Sequence, residues 1–324
     1  MTGGQWLAVL STAITTATPL VFACLGETLT ERAGVINLSA EGTLLMGAMS
    51  GFAVAQTTQN LWLGFLAAAI VGMGFAGIVA FGSLTLRQSQ VAIGFVLAVL
   101  GSDLSSFLGN PYVLTPGPTV PSWPIPLLSQ IPILGSLFFR ADLLVYLSYG
   151  LTFGVWWLLY HTGPGLKIRL LGEHPAAAFA RGINVIRWRY ALTLIGGSLM
   201  GIAGAAFSLD FKAGWTHRHT AGYGWIALAI VIFGSWDPLR VVLGVYLFGI
   251  LQSLASVAQS QIRGIPTQVF SVAPFVLMIL VLVFTSRDVL GRLLAPLPVA
   301  WQRRIQQWVG SEPPAALGQS FVQD

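Results

Sequence analysis

The polar residues best suited to chemistry lie in two glycine-containing breaks between long apolar segments. The first break spans residues 26–42, and Asn37, Ser39 and Glu41 stand where the next apolar segment begins. A carboxylate at membrane depth is costly and usually faces protein or a water-filled cavity. Glu41 therefore has either a structural role, at a helix N-terminus or paired with Arg32, or a role in lining a solute pathway together with Asn37 and Ser39. The sequence leaves both roles open.

The second break spans residues 210–225 and contains His217 and His219. Two histidines at i and i+2, with no further cysteine or histidine nearby, are a weak metal signal. We therefore predict no metal site. The aromatic residues of this break are typical of a membrane interface, and Trp225 is also a candidate for lining the pathway.

The spans otherwise contain few ionisable groups. Asp103, late in the fourth apolar segment, is one of them, and neighbouring serines could satisfy it. The chain has no GxxxxGK[ST] loop, GxSxG elbow, HExxH or CxxC motif. We predict no catalytic residue and no cofactor, so transport or channel activity is favoured over an enzyme.

Composition indicates an all-α polytopic membrane protein. Of the 324 residues, 55% are hydrophobic and only 8% are charged, whereas soluble domains carry about 25% charged residues. Nine apolar segments predict about nine transmembrane helices of ~20 residues each. They lie near residues 6–26, 37–56, 61–83, 90–108, 141–160, 190–209, 222–235, 238–257 and 268–285. The seventh is short and is predicted to be half-spanning or broken.

The orientation follows from the long polar loop at residues 161–190, which holds five of the sixteen basic residues. Cytoplasmic loops carry an excess of Lys and Arg. Placing this loop inside and alternating outward leaves twelve basic residues inside and four outside. The N-terminus is then predicted outside and the C-terminus in the cytoplasm.

The same loop predicts a short capped helix. Pro175 suits the first helical turn, Glu173 favours its positive end, and Gly182 can close it in a left-handed conformation. Such a helix is either a polar connector or a docking site for a cytoplasmic partner.

The chain divides into a transmembrane domain, residues 1–295, and a cytoplasmic tail, residues 296–324. An external loop at 109–140 contains seven prolines, which prevent a long regular helix. Within the tail, residues 310–324 are predicted to be disordered. Four segments precede the fifth and four follow it, which suits two inverted four-helix repeats around a linking helix. Glycines spaced four apart, as at Gly197 and Gly201, favour close helix packing.

Three stretches of the sequence resemble a known family. They are TPLVFACLGETLTERAGVINLSAEG from Thr18, GLKIRLLGEHPAAAFARGINV from Gly165 and GYGWIALAIVIFGSWDPLRVVLGVYLFG from Gly222. Together they resemble the permease subunits of bacterial ABC importers of the ribose and branched-chain-amino-acid type. The pieces ERAGVINLSAEG and GWIALAIVIFGSWDP are most similar to the nucleoside (simple-sugar-like) branch.

The resemblance implies that the 161–190 loop couples the permease to an ATPase subunit. The matching residues are Gly172, Glu173, His174, Pro175, Ala176, Ala177, Gly182 and Ile183. The family pattern usually has Asn where this chain has His174. The resemblance also implies a fold similar to the cobalamin-importer type of permease, with one fewer N-terminal span.

The partners implied are two ABC ATPase subunits, a second homologous permease in a homo- or heterodimer, an external substrate-binding protein and membrane lipid, without nucleic acid. The resemblance implies an ATP-driven importer of a nucleoside-like solute in a bacterial plasma (inner) membrane, which works by alternating access. One alternative is the same architecture importing a simple sugar or a branched-chain amino acid. Another is an ATP-independent channel or a membrane-embedded enzyme.

Overall fold

The computed structural model describes residues 3–126, 128–132, 134–220, 222–261, 266–285, 289, 291–292, 298 and 313–321. Within these ranges the chain is helical, and its extended pairing is limited to two isolated bridges. Its α-helices are α1 (Gly3–Arg32), α2 (Ala40–Thr58), α3 (Leu61–Ala80), α4 (Gln90–Gly109), α5 (Leu134–Phe138), α6 (Leu143–His161), α7 (Gly163–Glu173), α8 (Pro175–Ala180), α9 (Val185–Ala206), α10 (Tyr223–Phe233), α11 (Pro238–Gln261) and α12 (Thr267–Thr285).

The all-α prediction is confirmed for the described part of the chain, and each predicted apolar segment contains a helix. Six helices found there are long and apolar enough to cross a membrane: Val9–Arg32, Leu61–Thr85, Gln90–Tyr112, Leu143–His161, Val185–Phe211 and Pro238–Gln261. Helix α10 has only 11 residues and is about 16 Å long at 1.5 Å per residue. It is too short to cross a ~30 Å hydrocarbon core, as the short seventh segment predicted.

The first break is shorter than the sequence predicted. Helix α1 continues through Gly26 to Arg32, so only residues 33–39 interrupt the helical path. Gly34 ends α1 at φ +91°, and the Val35 N–H donates to the Thr30 carbonyl at 3.2 Å. This is the left-handed closure that glycine favours. The stretch GETLTER was predicted to interrupt the helical path, but its residues other than Gly26 tolerate a helix, so α1 continues through it.

Helix α9 is the centre of the bundle and uses glycines to touch three other helices, as the glycine spacing predicted. A Cβ on Gly196 would lie 2.6 Å from the Gly26 carbonyl oxygen of α1, and a Cβ on Gly201 would lie 2.0 Å from the Ala68 carbonyl oxygen of α3. A Cβ on Gly204 would lie 2.2 Å from the Leu44 carbonyl oxygen of α2. Backbones this close leave no room for a side chain.

The connections predicted to be cytoplasmic lie together on one face. The Arg32 guanidinium at the end of α1 donates through Nε to the Trp236 carbonyl at 2.9 Å, after α10. The Ile36 N–H donates to the Gln90 side chain, at the start of α4, at 2.8 Å. A Cβ on Gly172 of α7 would lie 2.3 Å from the Arg32 carbonyl oxygen.

The connections predicted to be external lie together on the opposite face. The Leu114 N–H of the proline-rich loop donates to the Trp215 carbonyl at 3.1 Å, after α9. The Gln56 amide, near the end of α2, donates to the Pro116 carbonyl at 3.2 Å. In the described part of this loop the longest helix is α5, with five residues, as expected from its prolines.

The backbone contact of α3 with α9 generates a prediction about packing. A Cβ on Gly72 would lie 2.2 Å from the Gly197 carbonyl oxygen, whereas a Cβ on Gly74 meets nothing within 4 Å. We expect Gly72→Ala to lower the free energy of unfolding by about 1–3 kcal/mol, as overpacking does. The midpoint of thermal unfolding in detergent measures this change.

Gly74→Ala is the matched control, because it makes the same substitution two residues further along α3, where an added Cβ meets nothing within 4 Å. It should leave the midpoint unchanged or raise it slightly, since Ala favours a helix over Gly. Equal midpoints for the two variants would contradict the contact between α3 and α9.

Candidate functional site

The 161–190 segment folds as two short helices joined at His174. The hydroxyl of Thr162 accepts from the Gly165 N–H at 3.1 Å and starts α7. The α7 helix was missed by the sequence analysis, which predicted only the helix starting at Pro175. His174 ends α7, and Pro175 is the first residue of α8. A proline suits this position because a first-turn N–H has no helical partner.

Helix α8 ends as its sequence predicts. Gly182 adopts φ +76°, its N–H donates to the Phe179 carbonyl at 2.8 Å, and the Ile183 N–H donates to the Ala178 carbonyl at 3.1 Å. These two bonds define a Schellman closure. The end of α8 is therefore fixed by local chemistry rather than by a partner chain.

The two faces of α8 differ in exposure. Ala178 is fully buried against Leu171 and Val185, which anchors the helix to the permease. The outer positions of the predicted coupling set are exposed, namely His174, Ala176, Ala177 and Gly182. Glu173, Pro175 and Ile183 are half-buried, and Gly172 is buried. The outer side of α8 thus presents small side chains, and the exposed Lys167, Arg181 and Arg187 give the surrounding segment a positive charge.

Residues 313–321, called here the C-terminal strap, pack against this segment. The Ala315 N–H donates to the Glu173 carboxylate at 3.2 Å, and the Ala316 N–H donates to the Gly172 carbonyl at 2.8 Å. The Gly318 N–H donates to the Gly34 carbonyl at 3.1 Å. The prediction of disorder for 310–324 is therefore wrong for the strap, because its backbone donors find fixed acceptors. The sequence of residues 296–308 predicts a short basic interfacial helix, but this stretch lies outside the described residues apart from position 298.

Arg189 joins the strap, the coupling segment and the first break. Its side chain is fully buried. Its guanidinium donates to the carbonyls of Ala33 at 3.0 Å, Gln319 at 2.9 Å and Leu171 at 3.4 Å. Five fixed donors make arginine suited to holding several carbonyls at once.

Asn37 and Ser39 are fully buried in a local network within the first break. The Asn37 N–H donates to the Glu27 carboxylate at 3.2 Å, and the Asn37 side-chain oxygen accepts from the Ser39 hydroxyl at 2.6 Å. The Ser39 and Thr43 hydroxyls are 3.1 Å apart. In this conformation both residues form the turn before α2 and do not face an open space.

Glu41 connects the two breaks. One carboxylate oxygen accepts from the Thr220 hydroxyl at 2.7 Å and the Gly222 N–H at 3.0 Å, and the other accepts from the Gly224 N–H at 2.7 Å. Gly222 precedes the first residue of α10. The carboxylate therefore stabilises a helix N-terminus, although the helix is α10 and not α2, to which Glu41 belongs.

Trp225 and Asp103 lie apart from this buried junction. The Trp225 side chain is 40% exposed, and its ring centroid lies 6.4 Å from that of Phe95 on α4. Asp103 is exposed on α4. The four predicted pathway residues thus divide into a buried group of three and one surface aromatic on α10.

The histidines of the second break differ in environment. His217 is exposed, whereas His219 is buried. The His219 Nε2 lies 3.2 Å from the Phe207 carbonyl and can donate to it. Burial lowers the pKa of His219 to about 4, so this imidazole is neutral at neutral pH. Among the described residues no group of three or more Cys, His, Asp or Glu side chains is positioned to hold a metal ion.

The end of α1 also contacts the turn after α10, and the sequence analysis did not predict this contact. The Trp236 indole N–H donates to the Glu31 carboxylate near the C-terminal end of α1, and the Arg32 guanidinium binds the Ser235 and Trp236 carbonyls. Ser235 and Trp236 both have positive φ values. The available signal was the spacing of Glu27 and Glu31, which lie one helical turn apart once α1 continues through them.

Comparison with known proteins identifies the family. The family model described as the branched-chain amino acid transport system / permease component matches residues 9–282. The chain therefore belongs to this family of permease components, whose members serve transport rather than catalysis. The resemblance noted in the sequence is confirmed.

Three relatives illustrate the range of the family. The "Putative glucose ABC transporter permease protein" of Haloferax volcanii is 40% identical over 78% of this chain and 78% of its own length. The nucleoside ABC transporter permease of Lactococcus lactis is 34% identical over 86% and 91%. The guanosine ABC transporter permease of Bacillus subtilis is 33% identical over 82% and 88%.

The Glu41 junction generates a prediction about stability. Glu41→Gln replaces one acceptor oxygen by an amide that must face backbone N–H donors. Hydrogen bonds to a charged group contribute roughly 1.5–3 kcal/mol, so the free energy of unfolding should fall by at least about that amount. Thermal unfolding of the purified chain in detergent measures the loss.

Asp103→Asn is the matched control, because it makes the same carboxylate-to-amide change at an exposed position of α4. It should leave the midpoint of thermal unfolding nearly unchanged. A Glu41→Gln variant as stable as Asp103→Asn would mean that the carboxylate does not stabilise the contact between the two breaks.

Proposed function

We propose that this chain is the permease subunit of an ATP-driven ABC importer and forms, with a second permease, the pathway for a nucleoside-like solute. The observation that carries the proposal is the α7–α8 segment. It is a rigid, locally capped helix pair with an exposed outer face, set in a chain of the permease-component family. The ATPase activity would belong to separate subunits that dock on this face.

The coupling residues would have two different roles, according to whether they are exposed. His174, Ala176, Ala177 and Gly182 would contact the ATPase, because they are exposed on the outer side. Gly172 and Glu173 would act through the strap, which they hold by hydrogen bonds. His174 stands where the family pattern usually has Asn, and both side chains can donate and accept.

The topology we propose has nine spans, with the N-terminus outside and the C-terminus in the cytoplasm; the second break and α10 would together make the seventh crossing. It is supported by the grouping of the basic connections on one face and by the excess of Lys and Arg there. Helices α1–α4 and α9–α12 would form inverted repeats around α6, as in the cobalamin-importer type of permease. The multi-pass domain would span residues 1–295, with 109–140 outside and 161–190 and 296–324 in the cytoplasm.

Transport would proceed by alternating access. Closure of the ATPase dimer would move α8, and the buried contacts of α7 and Arg189 would carry the motion to residues 33–39. Rigid-body rocking of the two permeases would then open the pathway to one side and afterwards to the other. An external binding protein would deliver the solute.

Three solute classes are supported by the comparisons, to different degrees. The nucleoside and guanosine permeases match 82–86% of this chain, which favours a nucleoside. The relative named for glucose has the higher identity, 40%, which makes a simple sugar the second candidate; a branched-chain amino acid follows the family's description. Binding assays on the external binding protein, with guanosine, glucose and leucine as probes, separate the three.

The docking role predicts the effect of a bulky charge on α8. Ala177→Arg should lower solute-stimulated ATP hydrolysis by about tenfold for each 1.4 kcal/mol of docking free energy lost, because the new side chain blocks close approach. The measurement is ATPase activity of the assembled transporter in proteoliposomes. The amount of inserted permease should stay the same, since Ala177 is exposed.

Thr119→Arg is the control variant, since it adds the same charge to an exposed position of the proline-rich loop on the opposite face. It should leave ATP hydrolysis unchanged. Normal coupling in Ala177→Arg would count against docking at α8.

A further inference from the structure

A cavity of about 620 Å³ opens between the segment after α9 and helices α10, α11 and α12. This volume falls in the range of roughly 300–1,000 Å³ that is usual for small-molecule sites. The cavity lies toward the face that carries the proline-rich loop, because Lys212 follows α9 there and Gln259 stands near the end of α11.

One wall of the cavity is a polar stripe on α11. Gln252, Ala255, Ser256 and Gln259 line it, and their spacing of three and four residues places them on one helix face. Gln252 donates to the Tyr223 hydroxyl. Ser256 and Gln259 are exposed and make no side-chain hydrogen bond to another described residue. They are therefore available to bind hydroxyl or amide groups of a solute.

The facing wall is aromatic. Phe275 of α12 and Tyr223 of α10 line the cavity, and their rings meet edge to face with centroids 6.3 Å apart and an interplanar angle of 86°. Phe248 supports both rings at 5.9 and 5.6 Å. Edge-to-face packing holds these rings in place, and a planar ring can pack against the part of the cluster that lines the cavity.

The charge of the lining selects against a cationic solute. Lys212 is the only charged residue in the described lining. Its amine donates to the His219 carbonyl at 2.7 Å and lies 5.7 Å from the Tyr223 ring centroid. The amine is thus held by the protein, and the remaining groups suit a neutral solute that combines a planar ring with hydroxyl groups.

The cavity is also connected to the Glu41 junction. Tyr223 lies between Gly222 and Gly224, whose N–H groups bind the Glu41 carboxylate. Any displacement of the first break relative to the second would move Tyr223 and change the aromatic wall.

We propose that this cavity is an outer chamber that binds a neutral nucleoside, with the base against Phe275 and Tyr223 and the ribose hydroxyls at Ser256 and Gln259. The inference rests on the proposed function as a nucleoside importer and assigns residues of this chain to solute contact.

The test relies on the burial of Cys24, the single native cysteine, which keeps its thiol away from a water-soluble reagent. Ser256→Cys introduces an exposed thiol into the chamber, and Ser260→Cys introduces one a turn further along α11, outside the lining. Both variants are assembled with the ATPase subunits and the second permease in right-side-out vesicles. They are then labelled from outside with a membrane-impermeant thiosulfonate. We expect guanosine at about ninefold its dissociation constant to slow labelling of Ser256→Cys about tenfold and to leave Ser260→Cys unchanged.

A second measurement is the KM of guanosine uptake. Gln259→Leu should raise it, while Gln261→Leu, at the exposed end of α11, should change neither the KM nor basal ATP hydrolysis. Guanosine uptake that persists without protection of Ser256→Cys and without a KM change would overturn the chamber while leaving the proposed function intact. Protection and uptake with glucose but not guanosine would overturn the nucleoside assignment both for the chamber and for the proposed function. Failure of Ser256→Cys to label when Ser260→Cys labels would overturn the chamber.

Discussion

The Glu41 carboxylate is the interaction on which the two halves of the bundle depend. It belongs to α2, yet its three hydrogen bonds go to Thr220, Gly222 and Gly224 at the start of α10. Helix α10 has 11 residues, and a short helix of this kind has unsatisfied N–H groups at its first turn. Burying those groups is costly without acceptors. The carboxylate supplies the acceptors, and the two breaks in the chain become one junction.

Contacts lead from this junction to the proposed docking face. The first break is held by Arg189, which also binds the Leu171 carbonyl of α7 and the Gln319 carbonyl of the strap. On the same face the end of α1 holds the turn after α10 through Glu31 and Arg32. The glycine contacts of α9 with α1, α2 and α3 permit little sliding, because any added atom would meet backbone. A motion of α8 would therefore be passed on largely as a rigid-body displacement.

Local sequence features were enough to predict several parts of the fold. The α8 helix and its closure at Gly182 follow from proline and glycine at fixed positions, and the nine apolar segments follow from hydropathy. The glycine contacts of α9 follow from four-residue spacing. The predicted alternation of loops also agrees with their grouping on two faces.

Other features could not be predicted because they depend on contacts between residues that are far apart in the sequence. Whether Glu41 would stabilise α2 or another helix could not be decided without the fold, because Thr220 and Gly224 lie some 180 residues away in the chain. The strap was predicted to be disordered because the chain becomes polar after Leu294, yet its backbone is fixed by carbonyls of Gly34 and Gly172 and its Leu317 packs against the main core. Helix α1 continued through GETLTER because Glu27 and Glu31 find partners in Asn37 and Trp236.

The central claim, that α8 is where an ATPase subunit docks, is tested most directly by site-specific cross-linking. With Cys24 buried, a cysteine at Ala177 would be the accessible thiol of the described chain, and a photoactivatable reagent attached there can react only with a close neighbour. The account predicts a permease–ATPase product from Ala177→Cys in the assembled transporter and none from Thr119→Cys on the opposite face. A complex that remains assembled and hydrolyses ATP, yet yields no such product from Ala177→Cys, would contradict it.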